Sequence, residues 1–240
     1  MTINSETKVR DIALSNSAAR HVLEDAGVDY CCGGGKSLHE ACVHADIPTE
    51  QILQRLQDNS LDKSVDDAGW TTAPLSDLTR HIRERHHRYV REAITRVQNL
   101  LAKVAAKHGE NHPEIANIRR LFTEVGAEMI MHMQKEEQVL FPYFDALEQA
   151  NVTHVCIEPP FFRTVRNPIQ AMMREHDAAG DLVKQIRKAS SEYVPPQDAC
   201  TSFQALYQDL SEFDTDLREH VHLENNILFP RAVAMEAAVV

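Results

Sequence analysis

Two stretches of this chain are copies of one pattern. His132-Met-Gln-Lys-Glu136 and His220-Val-His-Leu-Glu224 each set a histidine four residues before a glutamate, and each runs on into Leu-Phe-Pro, ending at Pro142 and Pro230. On an α-helix, residues four apart lie one above the other on the same face. Two such helices facing each other would offer two imidazoles and two carboxylates to one shared point. The copies stand 88 residues apart, and a further histidine keeps nearly that period, His87 and His176. The repeat is therefore two sets of His…His-x-x-x-Glu, the kind of arrangement by which a helix-bundle core holds a pair of metal ions.

The surrounding sequence is helical throughout. β-branched alternating runs are scarce, and the 8 Gly and 10 Pro fall mostly between periodic segments. Four long helices are expected at roughly 75–107, 113–149, 166–190 and 197–235, each with an apolar seam at three- and four-residue steps. The first seam runs His87, Val90, Ile94, Val97, Leu101, Val104, and the second Ile118, Phe122, Val125, Met129, His132, Glu136, Val139. The third runs Ile169, Met172, His176, Ala179, Val183, Ile186, and the fourth Phe203, Leu206, Leu210, Phe213, Leu217, His220, Glu224, Ile227. Placing His86 on the first seam brings in Tyr89, Ala93, Arg96 and Leu100, a poorer stripe, so His87 is the better ligand candidate.

Residues 1–58 read as a small helical module. Ser17 and Gly27 bracket one helix as cap and stop. Ser37-Leu-His-Glu40 is a capping box opening a second, and Pro48 suits the first turn of a third. Residues 59–74 are polar and aperiodic, a linker. The fold class is all-α: a small helical amino-terminal domain (1–58), the linker, and an antiparallel up-down-up-down four-helix bundle (75–240). In that topology the four histidines all fall roughly 15–18 Å from the same end of the bundle, at 1.5 Å per residue. Histidines placed on apolar faces by chance would not agree in height on four helices.

Glu136 and Glu224 on apolar seams need cations, because an unpaired buried carboxylate costs several kcal/mol or stays protonated. Two divalent ions would satisfy all six groups, with His87, His132, His176 and His220 terminal and Glu136 and Glu224 bridging. The donor set suits iron, zinc or manganese. Iron is preferred, and spacing alone leaves the other two open. The formal charge of −11 argues against a nucleic-acid partner and an anionic membrane surface. No apolar run reaches membrane-spanning length, the polar start lacks a signal-peptide core, and five cysteines lack framework spacing, which together suggest a cytoplasmic protein.

At these residues the chain resembles the hemerythrin-like superfamily and, more closely, the Repair of Iron Centres family of di-iron proteins. Asp29-Tyr30-Cys31-Cys32-Gly33-Gly34 is similar to that family's amino-terminal signature. The runs from His132 to Pro142, from Glu175 to Asp177 and from His220 to Pro230 resemble its metal motifs, and His87, followed by Arg91-Glu92, matches the remaining ligand. A third glycine after the cysteine pair and a second histidine beside His87 are small departures. The resemblance implies two iron ions in an oxo-bridged, carboxylate-bridged centre. It implies nitric oxide binding and restoration of damaged iron–sulfur clusters under nitrosative and oxidative stress, with the damaged proteins as partners.

Other residues carry weaker signals. Glu128, four before His132, and Glu175, beside His176, are candidates for orienting ligands or relaying protons, against the ordinary reading of solvent-exposed helix carboxylates. Cys31 and Cys32 are candidates for thiol chemistry, with a pKa lowered by a helix start, against a purely structural loop. Cys42, Cys156 and Cys200 carry no expected chemistry. Met129, Met131, Met133, Met172 and Met173 are expected as core filler, and His81, His86, His108, His112, His154 and His222 as solvated or supporting groups. Two further functions stay open: an enzyme reducing nitric oxide to nitrous oxide across the two irons, and a carrier, scavenger or sensor of nitric oxide or O₂. Neither the electron donor nor the choice between monomer and homodimer is written in the sequence.

Overall fold

The computed structural model describes residues 3–15, 17–58 and 69–240. The linker expected over 59–68 and the capping role of the Ser17 side chain lie outside the described residues. Among those described there are eight helices and no strand, only one isolated bridge between Lys8 and Ser37.

Four short helices come first: α1 (Val9–Ser15), α2 (Ser17–Asp25), α3 (Leu38–His44) and α4 (Thr49–Asp58). Helix α1 was not anticipated from the polar start of the chain. Val9, Ile12 and Ala13 supply just enough of an apolar face, and all three are buried. Helix α2 ends at Asp25, and two residues on, Gly27, with a φ of 67°, lets Val28 N–H reach back to the Leu23 carbonyl at 2.8 Å. The capping box of α3 is present: Ser37 Oγ accepts from Glu40 N–H, and Glu40 accepts from Ser37 N–H at 2.8 Å.

The bundle helices are α5 (75–108), α6 (114–153), α7 (Arg166–Ala189) and α8 (201–239). Two ion pairs and one hydrogen bond give the direction of α5 against α8: Arg85 meets Glu219, Arg96 meets Asp209, and His108 meets Cys200 at the cap of α8. Residues later in α5 meet residues earlier in α8, so the two run antiparallel. Helix α5 packs against α8 and α6, and α6 packs against α7. The start of α5 is capped from far away, since Glu148 of α6 accepts from the backbone N–H groups of Leu75 and Ser76.

Three of the four bundle helices widen into π turns, at Ile82–His87, Glu136–Leu140 and Leu223–Leu228. Two have a covalent cause. Pro142 and Pro230 have no N–H to donate, and the residue before each bonds five back instead: Phe141 to Glu136 and Phe229 to Glu224. The repeated Leu-Phe-Pro is thus the mark of a widened turn directly after each His-x-x-x-Glu. The extra residue slips the register. Val139, expected on the second seam, is 36% exposed, while Leu140 and Phe141 take the interior. The turn in α5 likewise turns both His86 and His87 inward.

The core divides into two apolar clusters. One joins the amino-terminal helices, through Ile12, Leu23, Tyr30, Leu38 and Ile52, to the bundle beyond Val90 and Met133. The other fills the opposite end, around Leu78, Phe144, Ile169 and Phe229. Between them lies a belt of buried polar side chains: His87, His132, Glu136, His176, His220 and Glu224.

Candidate metal centre

All six belt residues are at most 1% exposed. Their ligand atoms gather into two groups, His87 with Glu136, His220 and Glu224, and His132 with Glu136, His176 and Glu224. Within each group the atoms lie within 4.8 Å of one another, and both groups share Glu136 and Glu224. One helix supplies each imidazole. The carboxylates follow one turn after His132 and His220 on the facing helices α6 and α8.

The geometry fits cations rather than an internal hydrogen-bond network. His87 Nε2 sits 3.4 Å from Glu136 Oε2 and His132 Nε2 sits 3.3 Å from Glu136 Oε1, yet neither oxygen of Glu136 has a hydrogen bond. His87 Nε2 and Glu224 Oε2 are also buried without a hydrogen bond. His132 Nε2 and His176 Nε2 face each other at 3.0 Å. His220 Nε2 meets Glu224 Oε1 at 3.0 Å, but the unpartnered atoms of His87, Glu136 and Glu224 converge where a bound divalent ion would satisfy them. The same groups answer one another electrostatically. Burial disfavours the charged form of His132, but Glu136, with Glu175 and Glu224, outweighs it and lifts its pKa to about 10. Burial and the mutual repulsion of the carboxylates would raise Glu136, but the facing imidazoles pull it below the usual range. Glu224 behaves likewise, held well down by His220 and His176 against its burial. Without metal, protonated imidazole balances the two carboxylates, and divalent ions would take the place of those protons.

Three of the four imidazoles are oriented from behind. His87 Nδ1 donates to Glu137 at 2.7 Å, and Glu137 is itself gripped by Arg91. His132 Nδ1 donates to Glu175 at 2.9 Å. His176 Nδ1 donates to Asn225 Oδ1 at 2.9 Å. Each bond turns Nε2 toward the centre. Glu137 and Asn225 were missed at the level of sequence, although each directly follows a ligand glutamate. In π turns of this kind two successive side chains can face inward, which is the signal that would have found them.

Several expectations change. Glu128 is exposed and touches no ligand; with Glu175 it lines a cleft of about 530 Å³ that reaches His132 from solvent. His86 and His222 are buried, not solvated: His86 donates to Asp216 and stacks on His220 with ring centroids 5.6 Å apart. Burial and then Arg20 depress the pKa of His222 to about 3. Met131 and Met173 are exposed, leaving Met129, Met133 and Met172 as core. The Cys31 thiol is raised well above the ordinary range, by its neighbour Cys32, burial and Asp29, the reverse of the lowering expected. The loop lies short of the α3 amino terminus and gains nothing from it. Cys200, expected to be inert, starts α8 with His108 Nε2 at 3.1 Å from its sulfur.

A helical bundle whose core carries two His/Glu groups on shared carboxylates defines a hemerythrin-like metal-binding protein. Residues 77–232 match the Hemerythrin HHE cation binding domain, and residues 5–60 match a domain of unknown function, DUF542. The chain is 33% identical over 230 residues to a probable iron-sulfur cluster repair protein of Haemophilus influenzae, covering 95% of this chain and 97% of that one. It is 34% identical over 229 residues to the iron-sulfur cluster repair protein YtfE of Salmonella paratyphi B, covering 94% and 96%, and matches that of Salmonella newport equally. The chain belongs to the hemerythrin-like superfamily and, within it, to the Repair of Iron Centres family.

Proposed function

We infer that this chain holds two iron ions, one in each His/Glu group, and uses them in the cytoplasm to restore damaged iron–sulfur clusters. The observation that carries this reading is the sharing of Glu136 and Glu224 by both groups. A carboxylate that reaches two ions can shift its oxygens from one to the other, which lets a site open without unfolding. When bound, the iron pair supplies one-electron redox change and positions for a small ligand such as nitric oxide or O₂. The protein's own part is orientation and exclusion of water. Glu137, Glu175 and Asn225 fix the imidazoles, and the two apolar clusters seal the belt above and below.

The cleft beside Glu128 and Glu175 favours access of a small ligand to His132. Glu175 is held at a pKa of about 2, first by its bond to His132 and then by Lys135, so it stays charged at that opening. No helix among the described residues is long and apolar enough to cross a membrane.

The test is recovery of a cluster enzyme inactivated by nitric oxide or peroxide. Iron-loaded protein restores its activity, and His132→Leu does not. Equal recovery by metal-free protein overturns the reading.

A further inference from the structure

A side chain next to the metal belt reaches the amino-terminal module. Asn225, directly after Glu224 in the π turn of α8, is 9% exposed. Its Oδ1 accepts from His176 Nδ1 at 2.9 Å, and its Nδ2 donates to the backbone carbonyl of Cys31 at 3.1 Å. One carboxamide therefore spans from a candidate iron ligand to the thiol loop. The next residue reinforces the contact, since Asn226 Nδ2 donates to the Tyr30 carbonyl at 3.0 Å. Gly34 permits it: a Cβ there would come within 2.8 Å of Asn226 Oδ1 and 3.0 Å of the Arg10 side chain. Between loop and ligand lies a cavity of about 170 Å³ lined by Cys31, Cys32, His176 and Gly180.

The other imidazoles are held differently. His87 and His132 are oriented by Glu137 and Glu175, both on bundle helices, and His220 Nδ1 has no hydrogen bond. Among the described residues, His176 is the one belt imidazole whose hydrogen-bond partner also bonds the thiol loop, and it belongs to one of the two groups.

We propose that Asn225 couples the Cys31–Cys32 loop to the His132–His176 half of the centre, so that reaction at the thiols loosens one ion and leaves the other. This rests on the two-ion reading above and deepens it, giving a repair protein a way to release one iron on contact at its thiol loop while retaining its partner. A movement of the loop breaks the Asn225–Cys31 bond, the carboxamide is freed to rotate, and the His176 imidazole loses its fixed orientation. Loss of such a partner behind a metal-bound imidazole costs about tenfold to a hundredfold in metal affinity. By linkage, metal in that half protects the thiols by the same factor.

Cobalt(II) titration of metal-free protein against a competing chelator tests this, with a phenyl arsenoxide as the thiol probe. That reagent needs two neighbouring thiols, and the Cys31 and Cys32 sulfurs are 4.0 Å apart. Two S–As bonds form as the arsenic oxygen leaves as water, with no change of oxidation state. In the wild type the arsenical weakens one cobalt ion by about tenfold to a hundredfold and leaves the other unchanged. In Cys32→Ser it changes neither. Asn225→Ala binds one ion more weakly at the outset, and the arsenical adds nothing. Asn225→Asp keeps an acceptor for His176 but repels the Cys31 carbonyl. It recovers most of the affinity lost in Asn225→Ala and stays insensitive to the arsenical. Equal weakening of both ions, or an undiminished arsenical effect in Asn225→Ala, overturns the coupling while cluster repair by the wild type can stand. Two coupled ions in a protein that repairs no cluster overturn the proposed function alone. Fewer than two cobalt ions in the wild type overturn both.

Discussion

Glu175 holds His132 Nδ1 at 2.9 Å with one oxygen while Lys135 takes the other at 2.5 Å. A charged carboxylate behind an imidazole raises its basicity and fixes its tautomer. Glu175→Gln keeps an acceptor but removes the charge, so iron affinity falls by about tenfold, as measured by chelator competition. Glu128, exposed at the same cleft, has no such bond. Glu128→Leu leaves iron content intact and slows repair. Loss of iron in that variant would remove it from any role in proton transfer.

Removing the metal should cost stability as well as function. Glu136 and Glu224 are fully buried, and without ions their charges face only each other and four imidazoles. Ligand present a thousandfold above its Kd contributes ~4 kcal/mol. For a domain of this size each kcal/mol moves Tm by about 2–4 °C. Calorimetry should show Tm falling on the order of 10 °C after chelation and returning when iron is restored. An unchanged Tm would mean that the belt is satisfied without metal.

Where the helical period is regular, sequence and structure agree residue by residue. Every position on the third seam is buried, from Ile169 to Ile186, and so is every position on the fourth from Phe203 to His220, ahead of its π turn. The candidate ligands were legible as interior positions because polar groups on an apolar stripe are costly, so their placement is informative. Legibility fails where the period breaks. The turn at Glu136–Leu140 exposes Val139, and the one at Ile82–His87 buries His86, which lies off the regular stripe through His87. Proline marks two of these turns, but nothing in the sequence marks the third. Two of the three contacts behind the imidazoles escape for another reason. Glu137 and Asn225 are ordinary polar residues until tertiary packing brings an imidazole to each, as it brings Glu148 to the start of α5, whereas Glu175 stood out beside His176 as a candidate for orienting a ligand and holds His132 instead.

Asp214 anchors the turn between α7 and α8. It is 2% exposed and accepts from both Arg187 and Arg218, and from the Tyr193 hydroxyl at 2.9 Å. Ser191, Glu192 and Tyr193 all have positive φ, at 51°, 58° and 62°, so this corner carries backbone strain that the Tyr193 bond helps to hold. Asp214→Ala leaves two guanidiniums without their carboxylate. It should cost ~3 kcal/mol, the low end for a broken buried pair, since both arginines keep some contact with water. Urea unfolding of metal-free protein isolates this effect from metal binding. A loss below about 1 kcal/mol would show that solvent replaces the pair.

Cys200 should be the thiol that reacts first at neutral pH. It stands at the start of α8, where the Phe203 backbone N–H and then the His108 imidazole bring its pKa down to about 7. A lowered thiol pKa means that the thiolate is already abundant at physiological pH and that its share rises as pH climbs through 7. Cys31 is displaced the opposite way and stays protonated there. Iodoacetamide labelling followed by peptide mass spectrometry should give a rate at Cys200 with its midpoint near pH 7, well ahead of labelling at Cys31. His108→Ala removes one of the two main stabilising contacts, so the midpoint at Cys200 should move upward. A midpoint that stays in place would assign the whole effect to the helix start.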